Sequence, residues 1–324
     1  MRVLLILAAL VCGLPAFAAN RCDTTVPTGQ VDVGEVRLAY QSVGRDSDPA
    51  LLLVMGLGGQ LIHWPDDVVE RLCRQGFRVI RFDNRDVGLS TWAAPAPEAS
   101  LGFAVLRYRL GLSVQAPYTL RDMAGDSLRL MDALGIQRFH LLGASMGGMI
   151  AQHMADLAPQ RVESLTLLMT SSGAPGLPAP SPQLLEQLAR REAPDRAAAI
   201  AQQADLLAAL GSPQLPSDRA QLLREAERSY DRAFNPQGVQ RQILAILAEP
   251  SRVELLERLR VPTLVVHGTA DPLIPARLGQ QLFDAAREPK RLILVEGASH
   301  HNTQSRALVQ YRQALHELFG LNPR

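Results

Sequence analysis

A serine stands in a tight, glycine-containing turn between two segments of different character. The apolar run Phe139–Leu142 leads into Gly143–Gly147, which has the sequence GASMG, and a helical segment follows over Met146–Leu157. The G-x-S-x-G pattern between a strand and a helix predicts a nucleophile elbow, a sharp turn that lifts the serine hydroxyl above the edge of a sheet. Such a bend needs small neighbours, and the glycines supply them. The turn therefore predicts Ser145 as a nucleophile.

Short apolar runs alternate with helical segments on both sides of this turn, which predicts an α/β protein with a mostly parallel sheet covered by helices on both faces. A hairpin that turns at Gly34 is expected before the first core strand. The predicted core strands contain Leu51–Val54, Arg78–Phe82, Phe139–Leu142, Leu165–Met169, Thr263–Val266 and Arg291–Leu294.

The alternation breaks between Gly173 and about Pro250, where the chain is rich in Ala, Leu, Gln, Arg and Pro. No apolar strand interrupts this stretch, and its periodicity predicts several helices. We expect residues 173–250 to form a helical cap inserted into a core of residues 20–172 and 251–324. A cap of this kind would roof the catalytic edge of the sheet, and we expect a mostly apolar pocket beneath it.

The N-terminus has the layout of a secretory signal peptide. Arg2 precedes the apolar run Val3–Val11, and small residues stand two apart at Ala16 and Ala18. Residues 1–19 are therefore expected to be removed during export, which predicts a periplasmic or secreted protein. No further long apolar span follows, so no stable membrane association is expected after cleavage.

Composition narrows the expected partners and the redox chemistry. The formal net charge is +1, so the chain offers no basic field that would collect nucleic acid. After signal cleavage Cys22 and Cys73 remain. In an oxidising compartment the two cysteines could pair, or they could stay isolated thiols. Cysteine and histidine positions show no zinc-type spacing, so neither a metal nor another cofactor is expected.

Two further residues complete a predicted catalytic triad. A serine hydroxyl needs a base, and in this arrangement the acid and then the histidine follow the serine along the chain. Asp271 lies just beyond the strand around Thr263–Val266, and His300 lies beyond the last strand. His301 is the alternative base, but small residues lead up to His300 and allow its loop to bend into the site.

Backbone N–H groups are the expected oxyanion donors. One is that of Met146, directly after the nucleophile. The other belongs to the loop after the first core strand, where Leu57 is the first choice and Gly58 the second. His63, beside Trp64, is a candidate substrate contact near the expected mouth of the pocket.

Several longer stretches resemble the α/β-hydrolase superfamily over about Val31–Phe319, and more narrowly the esterases related to aclacinomycin methylesterase. The resemblance implies ester hydrolysis through Ser145, Asp271 and His300 without a cofactor. This chain has His301 where that group usually has Asp. The matching stretches are Val54–Gly59, Phe82–Ser90, Gly143–Gly147, Tyr230–Phe234, Gly238–Gln242 and His267–Pro272.

A small-molecule ester is thus the expected substrate, with Tyr230 and Phe234 of the cap as candidate contacts that influence its choice. The same scaffold also serves aminopeptidases, thioesterases, C–C bond hydrolases and cofactor-free perhydrolases. A catalytically inactive binding protein is the alternative from another class, and the intact Ser145, Asp271 and His300 argue against it.

Overall fold

The computed structural model describes residues 21–94, 101–174, 181–189, 193, 195–212 and 214–319. The predicted signal peptide lies outside these residues. Within them, no helix is both long enough and apolar enough to cross a membrane.

One eight-stranded sheet forms the centre of the described chain, with the strand order β1-β2-β4-β3-β5-β6-β7-β8. The first two strands run antiparallel to their neighbours, and all later neighbours pair in parallel. The hairpin and the mostly parallel sheet agree with the sequence-based prediction. The strands are Gly29–Asp32 (β1), Arg37–Val43 (β2), Ala50–Val54 (β3), Arg78–Phe82 (β4), Phe139–Ala144 (β5), Val162–Leu168 (β6), Thr263–Gly268 (β7) and Lys290–Val295 (β8).

Helices connect the strands and cover the sheet. Those of the regular strand–helix alternation are Asp66–Arg74 (α1), Leu101–Arg109 (α2), Leu120–Ala133 (α3), Met146–Leu157 (α4), Val253–Arg258 (α9), Ala276–Ala285 (α10), Thr303–Arg306 (α11) and Leu308–Phe319 (α12). Those between β6 and β7, in the predicted cap, are Pro182–Ala189 (α5), Arg196–Ala209 (α6), Arg219–Arg232 (α7) and Pro236–Leu247 (α8).

The central strand β3 shows why both faces of the sheet need helices. All five of its residues are buried. Leu52 and Val54 pack with apolar side chains of α3 and α4, whereas Leu51 and Leu53 pack with those of α1 on the opposite face. Successive side chains of a strand point to opposite faces, so a continuous apolar run requires a cover on each.

Helix boundaries follow local signals where these are strong. The Thr119 hydroxyl accepts from the Asp122 N–H and so caps the N-terminus of α3. The helical segment after β8 that runs over Thr303–Phe319 is interrupted at Ala307, which separates α11 from α12. The predicted cap limits at residues 173 and 250 stay a prediction. Within this segment α6 and α7 share a small apolar cluster of their own, formed by Ile200, Ala204, Leu222 and Ala226.

Candidate active site

Ser145 lies in the sharp turn between β5 and α4. Its backbone has φ 55° and ψ −122°, a conformation that side-chain-bearing residues seldom adopt. The turn is held on both sides, because the Ser145 N–H donates to the Leu168 carbonyl at 2.9 Å and the Thr170 hydroxyl donates to the Ser145 carbonyl at 2.7 Å. The main chain thereby projects the serine side chain away from the sheet edge.

The two glycines of the motif are required by close backbone approach. A Cβ atom on Gly147 would collide with the Val54 carbonyl of β3, and one on Gly143 would collide with the Gly147 carbonyl. These contacts involve main-chain atoms that cannot rotate away. The elbow therefore tolerates only glycine at both positions.

The structure brings the three predicted triad residues together. His300 Nε2 lies 3.0 Å from Ser145 Oγ, and His300 Nδ1 lies 2.8 Å from Asp271 Oδ2. Asp271 and His300 are both buried. A carboxylate can only accept, so the Nδ1–H donates to Asp271 and leaves Nε2 free to accept the serine proton. Among known chemistries, this arrangement suits nucleophilic attack by a serine with an adjacent base.

The loop around Asp271 fixes the carboxylate. Its Oδ1 accepts from the N–H groups of Leu273 and Ile274 at 2.9 and 2.8 Å, which leaves Oδ2 for His300. Behind this loop, His267 Nε2 donates to the Ile274 carbonyl at 2.7 Å. Burial lowers the pKa of His267, so its ring is neutral there. His267 is thus a supporting residue whose environment the sequence did not distinguish from that of an ordinary buried histidine.

His301 points toward the cap rather than toward the nucleophile. Its backbone N–H donates to the Leu210 carbonyl at 3.2 Å, and its Nε2 lies 3.5 Å from a Glu225 carboxylate oxygen on α7. Burial lowers the pKa of His301, and Glu225 partly opposes that shift. Of the two neighbouring histidines, His300 is therefore the one placed to act on Ser145.

The loop after β3 passes directly beside the nucleophile, with a Cβ on Gly56 only 3.0 Å from that of Ser145. The Gly58 N–H is engaged, since it donates to Gln242 Oε1 at 2.8 Å. By contrast, the N–H groups of Leu57 and Met146 have no acceptor among the described residues. Met146 is the first residue of α4, where N–H groups lack helical partners. This difference favours Leu57 over Gly58 as the second oxyanion donor.

A cavity of about 700 Å³ lies over Ser145 and His300, between the sheet edge and α5–α7. His63 lines it, as the sequence predicted for a residue near the pocket mouth. The lining is mixed, which differs from the expected mostly apolar pocket. Apolar members include Leu57, Met169, Leu188, Leu206, Leu207, Leu210 and Leu215, and charged members include Asp66, Asp67, Glu225, Arg228 and Arg306.

His63 is held by two hydrogen bonds. Its Nδ1 accepts from the Gln60 N–H at 3.1 Å, so its Nε2 carries the proton and donates to the Ser229 hydroxyl at 3.2 Å. Burial first, and then the nearby His301 and arginines, lower the pKa of His63 to about 4. The ring is therefore neutral at neutral pH and links the loop after β3 to α7.

Tyr230 and Phe234 do not line the cavity that contains Ser145. They line a second cavity of about 230 Å³ that adjoins it. Tyr230 lies near the end of α7 and Phe234 just beyond it, and Gly58 lines both cavities.

Buried ion pairs tie the predicted cap to the core beside the site. Arg241 of α8 donates to both carboxylate oxygens of Asp86 at 2.8 and 2.7 Å, and the Tyr118 hydroxyl donates to the same carboxylate. Arg232 lies 2.8 Å from Asp83, whose side chain is fully buried. Two of the stretches that carry the family resemblance, Phe82–Ser90 and Gly238–Gln242, thus contribute to the contacts between the predicted cap and the core.

Comparison with known proteins assigns the fold. A family profile described as alpha/beta hydrolase fold matches residues 49–303. The chain belongs to the α/β-hydrolase family. This confirms the predicted fold and the resemblance to esterases of this family, and it makes the protein a hydrolase on that scaffold.

Three relatives of this α/β-hydrolase cover most of its length. It is 28% identical to rhodomycin D methylesterase DauP from Streptomyces sp. (strain C5) over 85% of this chain and 92% of that protein. It is 28% identical to RutD, a proposed carbamate hydrolase from Pseudomonas savastanoi pv. phaseolicola, over 78% of this chain and 86% of that one. A crystal structure of a hydrolase from Pseudomonas aeruginosa PA01 superimposes with a TM-score of 0.65 at 27% identity, covering 89% of this chain and 95% of the other.

Proposed function

We propose that this α/β-hydrolase hydrolyses carboxylic esters through a Ser145–His300–Asp271 triad and a covalent acyl-enzyme. The observation that carries the proposal is the continuous chain of hydrogen bonds from Ser145 Oγ through the His300 ring to Asp271, at 3.0 and 2.8 Å. The strained Ser145 backbone adds support, because such strain is typical of functional sites.

In the first half-reaction, His300 Nε2 removes the Ser145 hydroxyl proton while Oγ attacks the ester carbonyl. Charge develops on the carbonyl oxygen, and the N–H groups of Leu57 and Met146, which have no acceptor among the described residues, are the proposed donors to it. Asp271 keeps the ring oriented and stabilises the imidazolium. His300 then gives its proton to the leaving alcohol, and the acyl group stays on Oγ.

In the second half-reaction, His300 activates a water molecule that attacks the acyl-enzyme. The acid is released and Ser145 recovers its proton. Each proton transfer in this proposed cycle passes through His300 Nε2, which already contacts Ser145 Oγ.

An ester is favoured over the other acyl substrates because the relative DauP is a methylesterase. The purified protein should be assayed against matched acetyl esters, thioesters, amides and carbamates, with Ser145→Ala as the control. We expect esters to give the highest kcat/KM and Ser145→Ala to lose a thousandfold or more. Preferential turnover of carbamates or amides would move the assignment to another hydrolase, and no turnover of any class would support an inactive binding protein.

We also propose that the protein is exported. The charge, apolar run and small residues of residues 1–19 support export, and so does the Cys22–Cys73 disulfide, because disulfides persist in oxidising compartments. N-terminal sequencing of protein from fractionated cells should give Ala19 or Asn20 as the first residue. Recovery with Met1 intact would contradict the proposal.

A further inference from the structure

The smaller cavity shares part of its wall with the catalytic cavity. Gly58, Leu188, Gln203 and Leu206 line both. Gly58 directly follows Leu57, the proposed oxyanion donor, and a Cβ on Gly58 would lie 3.0 Å from a methyl group of Val239. A substrate whose carbonyl lies at Ser145 could therefore extend across Gly58 into this second space.

Size and lining point to an aromatic occupant. Benzene fits a cavity of about 150 Å³, so by volume alone about 230 Å³ accommodates a substituted single ring. Tyr230 and Phe234 both line this cavity, and their rings contact each other with centroids 4.7 Å apart and planes tilted by 32°. Offset or tilted ring contacts of this kind are favourable for a further aromatic group.

The charged groups of the wall are already neutralised. Asp86 accepts from Arg241 and Tyr118, and Asp205 pairs with Arg219 at 2.8 Å. A charged ligand would therefore find no free counter-ion in these two carboxylates. A neutral ligand avoids the cost of removing an unpaired charge from water.

One polar atom of the wall is unsatisfied. The Oε1 atom of Gln187 is buried and has no donor among the described residues. A buried acceptor without a partner is unfavourable, and a hydroxyl or N–H group of a ligand would satisfy it. This atom adds a polar requirement beside the ring pair of Tyr230 and Phe234, in a wall whose other members are both apolar and polar.

We propose that this second cavity, the aromatic subsite, binds a neutral aromatic ring that carries a hydrogen-bond donor, as part of the ester substrate. Tyr230 and Phe234 contact the ring, and Gln187 accepts from its hydroxyl or N–H group. The inference rests on the proposed ester hydrolysis and specifies the substrate class. The ring could belong to the acid or to the alcohol, so both kinds of ester enter the test.

The kinetic test uses ester pairs that differ only in the donor. Methyl 3-(4-hydroxyphenyl)propanoate is compared with its 4-methoxy analogue, and 2-(4-hydroxyphenyl)ethyl acetate with its 4-methoxy analogue. In one of the two pairs the hydroxyl ester should have a kcat/KM about tenfold higher, because only it satisfies Gln187. Gln187→Leu should bring that ratio to about one, whereas Gln221→Leu, in the catalytic cavity alone, should leave it unchanged.

A second variant tests the ring contact. Phe234→Ala should lower kcat/KM for the aromatic esters about fivefold relative to ethyl acetate, since a packed aromatic neighbour is lost. An equal fall for every ester would make Phe234 a support of the fold rather than of the subsite.

A binding measurement separates this inference from the proposed function. Titration calorimetry on Ser145→Ala should show that 4-methylphenol binds more tightly than 4-methylanisole. Adding Gln187→Leu to that variant should abolish this difference in affinity. Equal affinities, or hydroxyl and methoxy esters turned over equally, would overturn the subsite while ester hydrolysis stands. Lack of all ester turnover with selective 4-methylphenol binding would overturn the hydrolysis and keep the subsite.

Discussion

At the scale of single residues, two adjacent histidines have different surroundings. His300 contacts Ser145 and Asp271, whereas His301 contacts Leu210 and Glu225. We expect His300→Ala to lower kcat by a thousandfold or more, because among the described residues His300 is the base in contact with the serine hydroxyl. His301→Ala should keep activity within about tenfold of wild type. Ester turnover by the two purified variants checks this, and a reversed order would move the base to His301.

His63 gives a prediction for stability against pH. Its folded-state pKa of about 4 lies below its ordinary value of 6.5, so the folded protein favours the neutral ring. The stabilisation is therefore complete above pH 6.5 and is lost as the pH falls from 6.5 toward 4. The full loss is at most roughly 3 kcal/mol, since one pKa unit corresponds to about 1.4 kcal/mol.

Urea unfolding of wild type and His63→Gln between pH 4 and 7.5 measures this contribution. The free energy of unfolding of wild type should fall more steeply below pH 6.5 than that of the variant. Parallel curves would show that His63 titrates alike in the folded and unfolded chains.

Among single residues, those whose position follows a strand could be predicted from the sequence. Ser145, Asp271 and His300 each follow the end of a predicted core strand, and parallel strands bring such ends to one edge. No such rule predicts the positions of Tyr230 and Phe234, because these positions depend on how α7 packs against the loop after β3. The sequence therefore suggested substrate contacts but not a separate cavity.

At the scale of elements, one side chain of α8 holds the loop after β3, which contains Leu57, the proposed oxyanion donor. Gln242 accepts from the Gly58 N–H at 2.8 Å and donates to the Arg85 carbonyl at 2.9 Å. The side chain is fully buried. Because Leu57 precedes Gly58, loss of this contact should let the proposed oxyanion donor shift, which reduces stabilisation of the transition state more than binding of the substrate.

We therefore expect Gln242→Ala to lower kcat about tenfold with KM within twofold. Gln242→Glu keeps the acceptor for Gly58 and should retain more activity than Gln242→Ala. Gln237→Ala, on the exposed side of the same helix, is the control. Steady-state kinetics on these variants checks the prediction, and a rise in KM without a fall in kcat would make Gln242 a substrate-binding residue instead.

Strong local patterns determined which elements could be predicted. The helix Asp66–Arg74 is of the kind that a sequence can predict, because its apolar residues recur at helical spacing. Two helices were missed for different reasons. Leu101–Arg109 buries only Ala104 and so has no apolar stripe, and Val253–Arg258 is a six-residue helix too short to show a period.

At the scale of the whole molecule, the Cys22–Cys73 disulfide ties the segment before β1 to α1. The bridge closes a loop with a sequence separation of 51 residues, which restricts the unfolded chain. Reduction should lower the free energy of unfolding by about 2–4 kcal/mol. Urea unfolding with and without dithiothreitol measures the change, and the double variant Cys22→Ala, Cys73→Ala should not respond to the reductant. An identical midpoint for oxidised and reduced wild type would contradict the prediction.

The fold as a whole could be predicted because strand–helix alternation and the elbow agree with each other. The contacts between the predicted cap and the core could not be predicted from the sequence. Its ion pairs join residues more than a hundred positions apart, such as Asp86 and Arg241, and a charged residue in sequence carries no sign that it will be buried with a partner.

Ser145 Oγ is the proposed site of the covalent acyl intermediate. Trypsin cleavage after Arg138 and Arg161 gives the peptide Phe139–Arg161, in which Ser145 is the only hydroxyl side chain. The protein is treated with a fluorophosphonate, which forms an Oγ–P bond with loss of fluoride. The labelled protein is then digested with trypsin, and the peptide masses are measured by mass spectrometry. We predict one adduct, on this peptide, in wild type and none in Ser145→Ala. An adduct on another peptide, or undiminished labelling and ester turnover in Ser145→Ala, would contradict the account.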